Sequence, residues 1–152
     1  MIPFFVELLV RFRELHADIE KNLDPLPQEA MDWTPGPDMN SVSVLVIHLT
    51  GSERFWVGDV VMGDPSNRVR EAEFQVSGLD KATLLQRLRE TEAYLTTAFD
   101  KLKLTDLETT RIHPLRGYEV TVAWALMHAL EHTGIHLGHI ELTAQLWKQR
   151  QG

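Results

Sequence analysis

The sequence predicts an all-α, four-helix bundle in a single domain spanning residues 1–152. Three observations carry this. Apolar residues recur at spacings of three and four in four separate stretches, each stretch is about 20 to 28 residues long, and Pro, Gly and polar clusters divide them. The first helix covers residues 2–22, where Phe5, Leu8, Leu9, Phe12, Leu15 and Ile19 form one stripe with Glu and Arg between them. Pro25, Pro27, Pro35, Gly36 and Pro37 then make a connection. Asn40 or Ser41 can cap a second helix over 42–62, and Gly63-Asp64-Pro65 ends it. Residues 64–78 are polar and read as irregular. Leu79-Asp80 opens a third helix that runs to about Leu102, with Leu84, Leu85, Leu88, Tyr94, Leu95 and Phe99 as its stripe. A loop with His113-Pro114 and Arg116-Gly117 leads to a fourth helix, from about Thr121 to Lys148. Four such helices must bury their stripes on one another. Most of the connections are long enough to permit crossovers, so simple up-down-up-down order is not forced.

Composition narrows the function classes. A chain of 152 residues can bury roughly 70% of its unfolded surface and needs no staple to fold. It has no cysteine, which excludes disulfides, thiolate ligands and a cysteine nucleophile. Any metal must be held by imidazole, carboxylate or water. The formal charge is −7, with 15 Lys+Arg against 22 Asp+Glu and no basic cluster, which disfavours nucleic acid. The first ten residues lack a basic leader, and Glu7 and Arg11 interrupt their apolar run. They read as neither signal peptide nor membrane span, so a cytoplasmic protein is expected.

Four histidines crowd the fourth helix: His128, His132, His136 and His139. At ~100° per residue they fall within a wedge of about 80°, on one stripe able to converge on one point. A fifth, His48, lies in the second helix. On a helical wheel Trp124, Ala125, Ala129, Ile140, Leu146 and Trp147 lie near the histidine wedge, while Glu131, Glu141, Gln145, Lys148 and Gln149 take the far arc. His48 shares its side with Ser41, Val44, Leu45, Ser52, Phe55 and Trp56. These five imidazoles therefore face inward. An unpaired polar group in a core costs roughly 1–3 kcal/mol, and a shared metal ion would satisfy several at once. Two ligands at i and i+4 plus a third from elsewhere is a common way to hold a metal with an open position. A lone inward histidine is usually a core residue bonded to a carbonyl; the clustering is what favours a metal here. His16 and His113 lack such company and are assigned to solvent or caps.

Rival motifs are weaker. His128-Ala-Leu-Glu131-His132 matches the inverted zinc-protease pattern, but Glu141 faces away and few residues follow to supply an acidic ligand. Di-iron carboxylate bundles need Glu-x-x-His pairs on two helices, and none occurs. There is no Gly-x-Ser-x-Gly elbow and no phosphate loop.

Two segments resemble a known family. Ser41-Val-Ser-Val-Leu-Val-Ile-His48-Leu-Thr-Gly-Ser-Glu-Arg-Phe-Trp56 is similar to the second helix of the DinB/YfiT-like metalloenzymes. Trp124-Ala-Leu-Met-His128-Ala-Leu-Glu-His132-Thr-Gly-Ile-His136-Leu-Gly138-His139-Ile is similar to their last helix, and the Trp33-Thr-Pro35 turn also fits. The resemblance implies an up-down-down-up bundle with a long crossover, usually dimeric, with three histidines around a divalent metal. Matched residue by residue, the ligands it implies are His48, His132 and His136. His128 falls at an extra upstream histidine, Leu137 stands where Arg is common, and His139 where Gln is common. Some relatives are thiol-dependent transferases or isomerases, so a low-molecular-weight thiol is a further cofactor the resemblance allows.

The expected function is a divalent-metal-dependent enzyme, a thiol-linked transferase or a hydrolase, acting on a small molecule. The alternative is a non-catalytic metal-binding or stress-associated dimer with a structural ion. All-nitrogen ligation suits Zn, Ni or Fe without choosing among them. His128, His139 and Ser52 are expected beside the ligands. Glu53 and Glu131 are the nearest acid/base groups by position, though both read as surface charges. Asp59 shares the His48 face but lies ~16 Å along the axis. Leu126, Leu130 and Leu137, on the arc away from the histidines, suggest a second apolar face and hence a homodimer.

Overall fold

The computed structural model describes residues 1–150. Four long helices form the bundle. Helix α1 (Pro3–Leu23) starts with proline at its first turn, where the missing N–H costs nothing. It buries Phe5, Leu9, Phe12, His16, Ile19 and Leu23, a strict alternation of four and three. A short turn of helix, α2 (Gln28–Met31), interrupts the proline-rich connection and sends Ala30 and Met31 into the core. Helix α3 (Val42–Glu53) is capped by Ser41, whose Oγ accepts from the Val44 amide at 3.2 Å. It continues as a π-helical extension (Arg54–Met62) that stops at Gly63, held at φ 65°. The expected single α-helix over 42–62 is thus wider in its second half.

Within the stretch expected to be irregular, α4 (Arg70–Glu73) forms one turn. Helix α5 (Lys81–Lys101) is capped by Asp80, which accepts from the Thr83 amide at 2.7 Å. A 3₁₀ turn (Leu104–Glu108) and a hairpin of β1 (Thr110–Ile112) and β2 (Glu119–Thr121) follow. The hairpin pairs antiparallel with Arg111 opposite Val120. Helix α6 (Val122–Arg150) completes the chain.

Two buried clusters give the topology. One joins Phe5, Leu9 and Phe12 to Phe55–Val61, Leu95–Leu102 and Val122–Ala129. The other joins Ile19 and Leu23 to Val42–Leu49, Leu84, Leu88 and Leu137–Trp147. The start of α1 therefore lies with the ends of the α3 extension and α5 and with the start of α6. That is up-down-down-up, with α3 and α5 parallel and the 63–80 segment crossing the length of the bundle. Both α1 and α3 pack against both α5 and α6.

Three polar groups are sealed between these helices. Glu53 is 0% exposed, and it is not the surface charge its position on the wheel suggested. Its carboxylate accepts from Thr133 Oγ1 on α6 at 2.6 Å and from His16 Nε2 on α1 at 3.0 Å. His16, expected at solvent or a cap, is 3% exposed for the same reason: Glu53 needs a partner. Burial pushes the His16 pKa down, but the charge and hydrogen bond of Glu53 outweigh it and the net shift is upward. The leucines expected to form a second face are also used internally. Leu126 and Leu137 are buried and Leu130 packs against the first cluster. The apolar residues that α6 leaves exposed are Trp124, Met127, Ile135 and Leu142.

Removing Glu53 leaves His16 and Thr133 without their shared partner. Glu53→Ala should lower stability by about 3–5 kcal/mol in urea unfolding. The His16 contribution has a defined pH window. Its folded pKa is raised above the ordinary 6.5, so the stabilisation is complete below that value and fades as pH rises through the folded pKa. The stability gap between the protein and His16→Gln should shrink as pH is raised above 6.5; a gap that widens would contradict the pairing.

Candidate metal centre

His48 sits one and a half turns into α3, a helix in which eleven of twelve residues are buried, so its ring can only point into protein. Opposite it, α6 presents His132 and His136 one turn apart. The three rings meet. The His48 centroid is 4.9 Å from each of the other two, which are 4.4 Å from one another. One nitrogen from each ring lies within 4.8 Å of the others, and no fourth His, Cys, Asp or Glu joins the group among the described residues.

The protonation chemistry of the cluster suits a cation. His48 donates Nδ1–H to Glu73 Oε2 at 2.8 Å, which fixes its tautomer and leaves Nε2 with a free lone pair. His132 and His136 face each other Nε2 to Nε2 at 3.2 Å. Burial, then the neighbouring rings, push the His132 pKa down to about 3; burial, then His48 and His139, push that of His136 down to about 4. Both are therefore neutral at physiological pH and present lone pairs rather than charges. His132 Nδ1 is buried with no hydrogen-bond partner among the described residues. Three imidazoles with their lone pairs turned together are a donor set that a divalent ion of the Zn, Ni or Fe class fits.

Glu73 and Arg68 were not anticipated. Both lie in the crossover, where helical periodicity gives no guide. Arg68 donates from Nε and Nη2 to the two carboxylate oxygens of Glu73, the latter at 2.8 Å. Burial pushes the Glu73 pKa up, but the hydrogen bonds from Arg68 and His48 more than offset it and the net shift is downward. The carboxylate reaches His48 because residue 51 is glycine. A Cβ there would collide with Glu73 Oε1.

The remaining histidines divide. His139 Nδ1 lies 3.3 Å from His136 Nδ1, on the exposed side. His128 stacks on Trp124, with centroids 4.8 Å apart at 8°, and meets Trp56 edge-on. It is 6.0 Å from His132 and outside the group of three. His113 was expected at solvent or a cap but is 5% exposed. The hairpin turn folds it against Phe55, Trp56 and Tyr118, a contact that no periodicity in the loop foretold. Ser52 is buried and lines the same cavity as His48. Glu131 is exposed, and Asp59 accepts from the Ser66 amide instead of facing the histidines.

A cavity of about 290 Å³ opens beside the cluster, with His48, Ser52, His128 and His132 in its wall. A larger one, about 590 Å³, lies between the crossover and α5. It shares Arg68 but has no histidine, so the chemistry belongs to the smaller cavity.

A family model for the DinB superfamily matches residues 11–140. The chain belongs to that superfamily. Its fold is shared by solved structures of low sequence identity. A conserved protein from Enterococcus faecalis superposes with a TM-score of 0.76 at 16% identity, covering 96% of this chain and 98% of that one. A DinB-like protein from Bacillus subtilis gives 0.70 at 16%, covering 91% and 90%. YfiT from Bacillus subtilis, described as a probable metal-dependent hydrolase with an unusual four-helix bundle topology, gives 0.74 at 17%, covering 95% and 89%. No curated protein matches by sequence. No helix of the described residues is long and apolar enough to cross a membrane.

Gly51→Ala should push Glu73 off His48 while leaving the bundle helical. Loss of such a carboxylate partner typically weakens metal binding about 10–100-fold, so calorimetric zinc affinity should fall by that amount with an unchanged circular dichroism spectrum.

Proposed function

We propose that this protein is a divalent-metal-dependent enzyme that hydrolyses a small-molecule substrate, with His48, His132 and His136 as the metal ligands. The observation that carries this is the group of three ring nitrogens, within 4.8 Å of one another, beside a cavity and without a fourth protein ligand among the described residues. Structural zinc sites are usually closed by four protein ligands, whereas catalytic sites keep a position open. When bound, a divalent ion supplies Lewis acidity toward a substrate oxygen or sulfur and lowers the pKa of water.

The chain's own residues do the rest. Glu73 holds the His48 proton at Nδ1 and so keeps Nε2 directed at the centre. His139 is the polar neighbour of His136 Nδ1. Phe55 and Trp56 form an apolar wall that limits water beside the ligands. A thiol-linked transfer would use the same open face, with a small thiol in place of water. The described relationship of YfiT to metal-dependent hydrolysis favours hydrolysis. We also infer a homodimer through the exposed Met127, Ile135 and Leu142 on α6, since an apolar helix face of this kind ordinarily seeks a partner.

His132→Ala should abolish tight metal binding while the bundle stays helical, because two long-range apolar clusters hold it without the ion. Saturating zinc should raise the melting temperature of the protein, by an amount that grows with [L]/Kd, and should not raise that of the variant. An unchanged shift would remove His132 from the ligand set. Global unfolding of the variant would make the ion a structural staple and move the protein to the non-catalytic class. Light scattering should give twice the monomer mass at micromolar concentration, and Ile135→Glu should return it to one.

A further inference from the structure

The cavity beside the histidines has an unusual charge for this chain. Acidic residues outnumber basic ones 22 to 15 overall, yet among the described residues no Asp or Glu lines the cavity and three arginines do: Arg68, Arg70 and Arg116. Arg68 is committed to Glu73. The other two are free of carboxylates. Neither Arg70 nor Arg116 has an acidic group within ion-pair distance among the described residues. Arg70 lies over the Phe74 ring at 5.0 Å, and Phe74 in turn packs on His48 at 4.9 Å. Arg116 stands in the hairpin turn, its backbone amide donating to the His113 carbonyl at 3.3 Å. Arg70 and Arg116 line the cavity from different segments, the crossover and the hairpin turn.

Four aromatic side chains, Phe55, Trp56, Tyr118 and Trp124, line the same cavity. Arginine with no carboxylate partner, lining a site, is the side chain best suited to a planar carboxylate or a phosphate. Aromatic faces below it suit a flat or apolar body.

We propose that the substrate is a small organic anion, with a carboxylate held at the mouth by Arg70 and Arg116 and a flat apolar body laid against Trp56 and Trp124. This rests on the metal-centre reading for what happens at the far end of the molecule, but the anion subsite is built by residues that are not ligands. A cavity of about 290 Å³ accepts a molecule of roughly that kind and excludes a macromolecule.

The test is binding of phenylacetate against its uncharged isostere, phenylacetamide, followed through tryptophan fluorescence in zinc-loaded and chelator-treated protein. Phenylacetate should bind more tightly than the amide in both forms, since part of the preference comes from the arginines. In R70Q/R116Q its affinity should fall at least about tenfold in both forms, the amide should be unaffected, and zinc affinity should not change. Both arginines are exposed, so the variant should fold. Equal binding of acid and amide in the chelated protein, an unaltered variant, or no saturable phenylacetate binding to the unmutated protein would each overturn the anion subsite. None of these would touch the metal centre if zinc still binds through His132. A protein that fails to bind zinc but keeps the arginine-dependent preference would overturn the metal centre and retain the subsite.

Discussion

The hydrogen bond from His48 to Glu73 is the contact on which the site depends, and it exists because of the topology. Helices α3 and α5 run parallel, so no tight turn can join them. The chain must return the length of the bundle before α5 can start. Residues between Gly63 and Asp80 make that return, and they bring Arg68 and Glu73 to the side of α3. A long loop is a modest entropic burden, since closure grows only with the logarithm of length. Here the loop supplies the carboxylate that orients a histidine. Gly51 is the matching feature on α3: any side chain there would occupy the space that Glu73 fills.

Two buried glutamates each accept from a histidine, and the contrast between them separates a structural pair from a site. Glu73 has Arg68 across both of its oxygens. The positive charge is already present, and the bond to His48 needs only an N–H from the ring. That arrangement keeps the opposite nitrogen available as a ligand. Glu53 has no arginine. Its compensating charge must come from His16 itself, whose pKa is raised accordingly, with Thr133 taking the remaining hydrogen bond. One carboxylate thus presents a lone pair toward the cavity. The other ties α1, α3 and α6 together, next to the residue that follows His132 in sequence.

The long helices, the Ser41 cap and the inward direction of His48 were legible because apolar spacing and capping chemistry are local properties. What was missed depended on partners distant in sequence. Glu53 looks like a surface charge midway along the expected helix, but the preceding run from Val42 to Ser52 has only His48 as an ionisable group. A helix with no polar face has no water side on which to place a glutamate, and that signal was available. His16 follows from Glu53 and from nothing near it in the chain. The hairpin that buries His113, the turn that presents Glu73 and the π-helical widening after Glu53 carry no periodic pattern at all. The three residues expected to face a second subunit show the opposite error: an ideal wheel places Leu126 and Leu137 away from the histidines, yet both lie in the core, because α6 is flanked by α1 and α3 and buries a broad arc.

Four histidines on one stripe do not make a four-histidine site, and the helix itself shows why. A wedge of angle says nothing about height. With a rise of 1.5 Å per residue, His128 and His139 stand about 16 Å apart along α6, far beyond the reach of imidazoles to a common ion at ~2 Å. Only neighbours one turn apart can share it, and three such choices exist along the stripe. The choice falls to the opposing helix. His48 is equidistant from His132 and His136, at 4.9 Å from each, so the pair at its height becomes the site. The ends of the stripe then take other surroundings: His128 joins the aromatic wall of the cavity, and His139 stands against the outer nitrogen of His136. The stripe sets the direction in which a metal would be held, and the single histidine on α3 sets where along it.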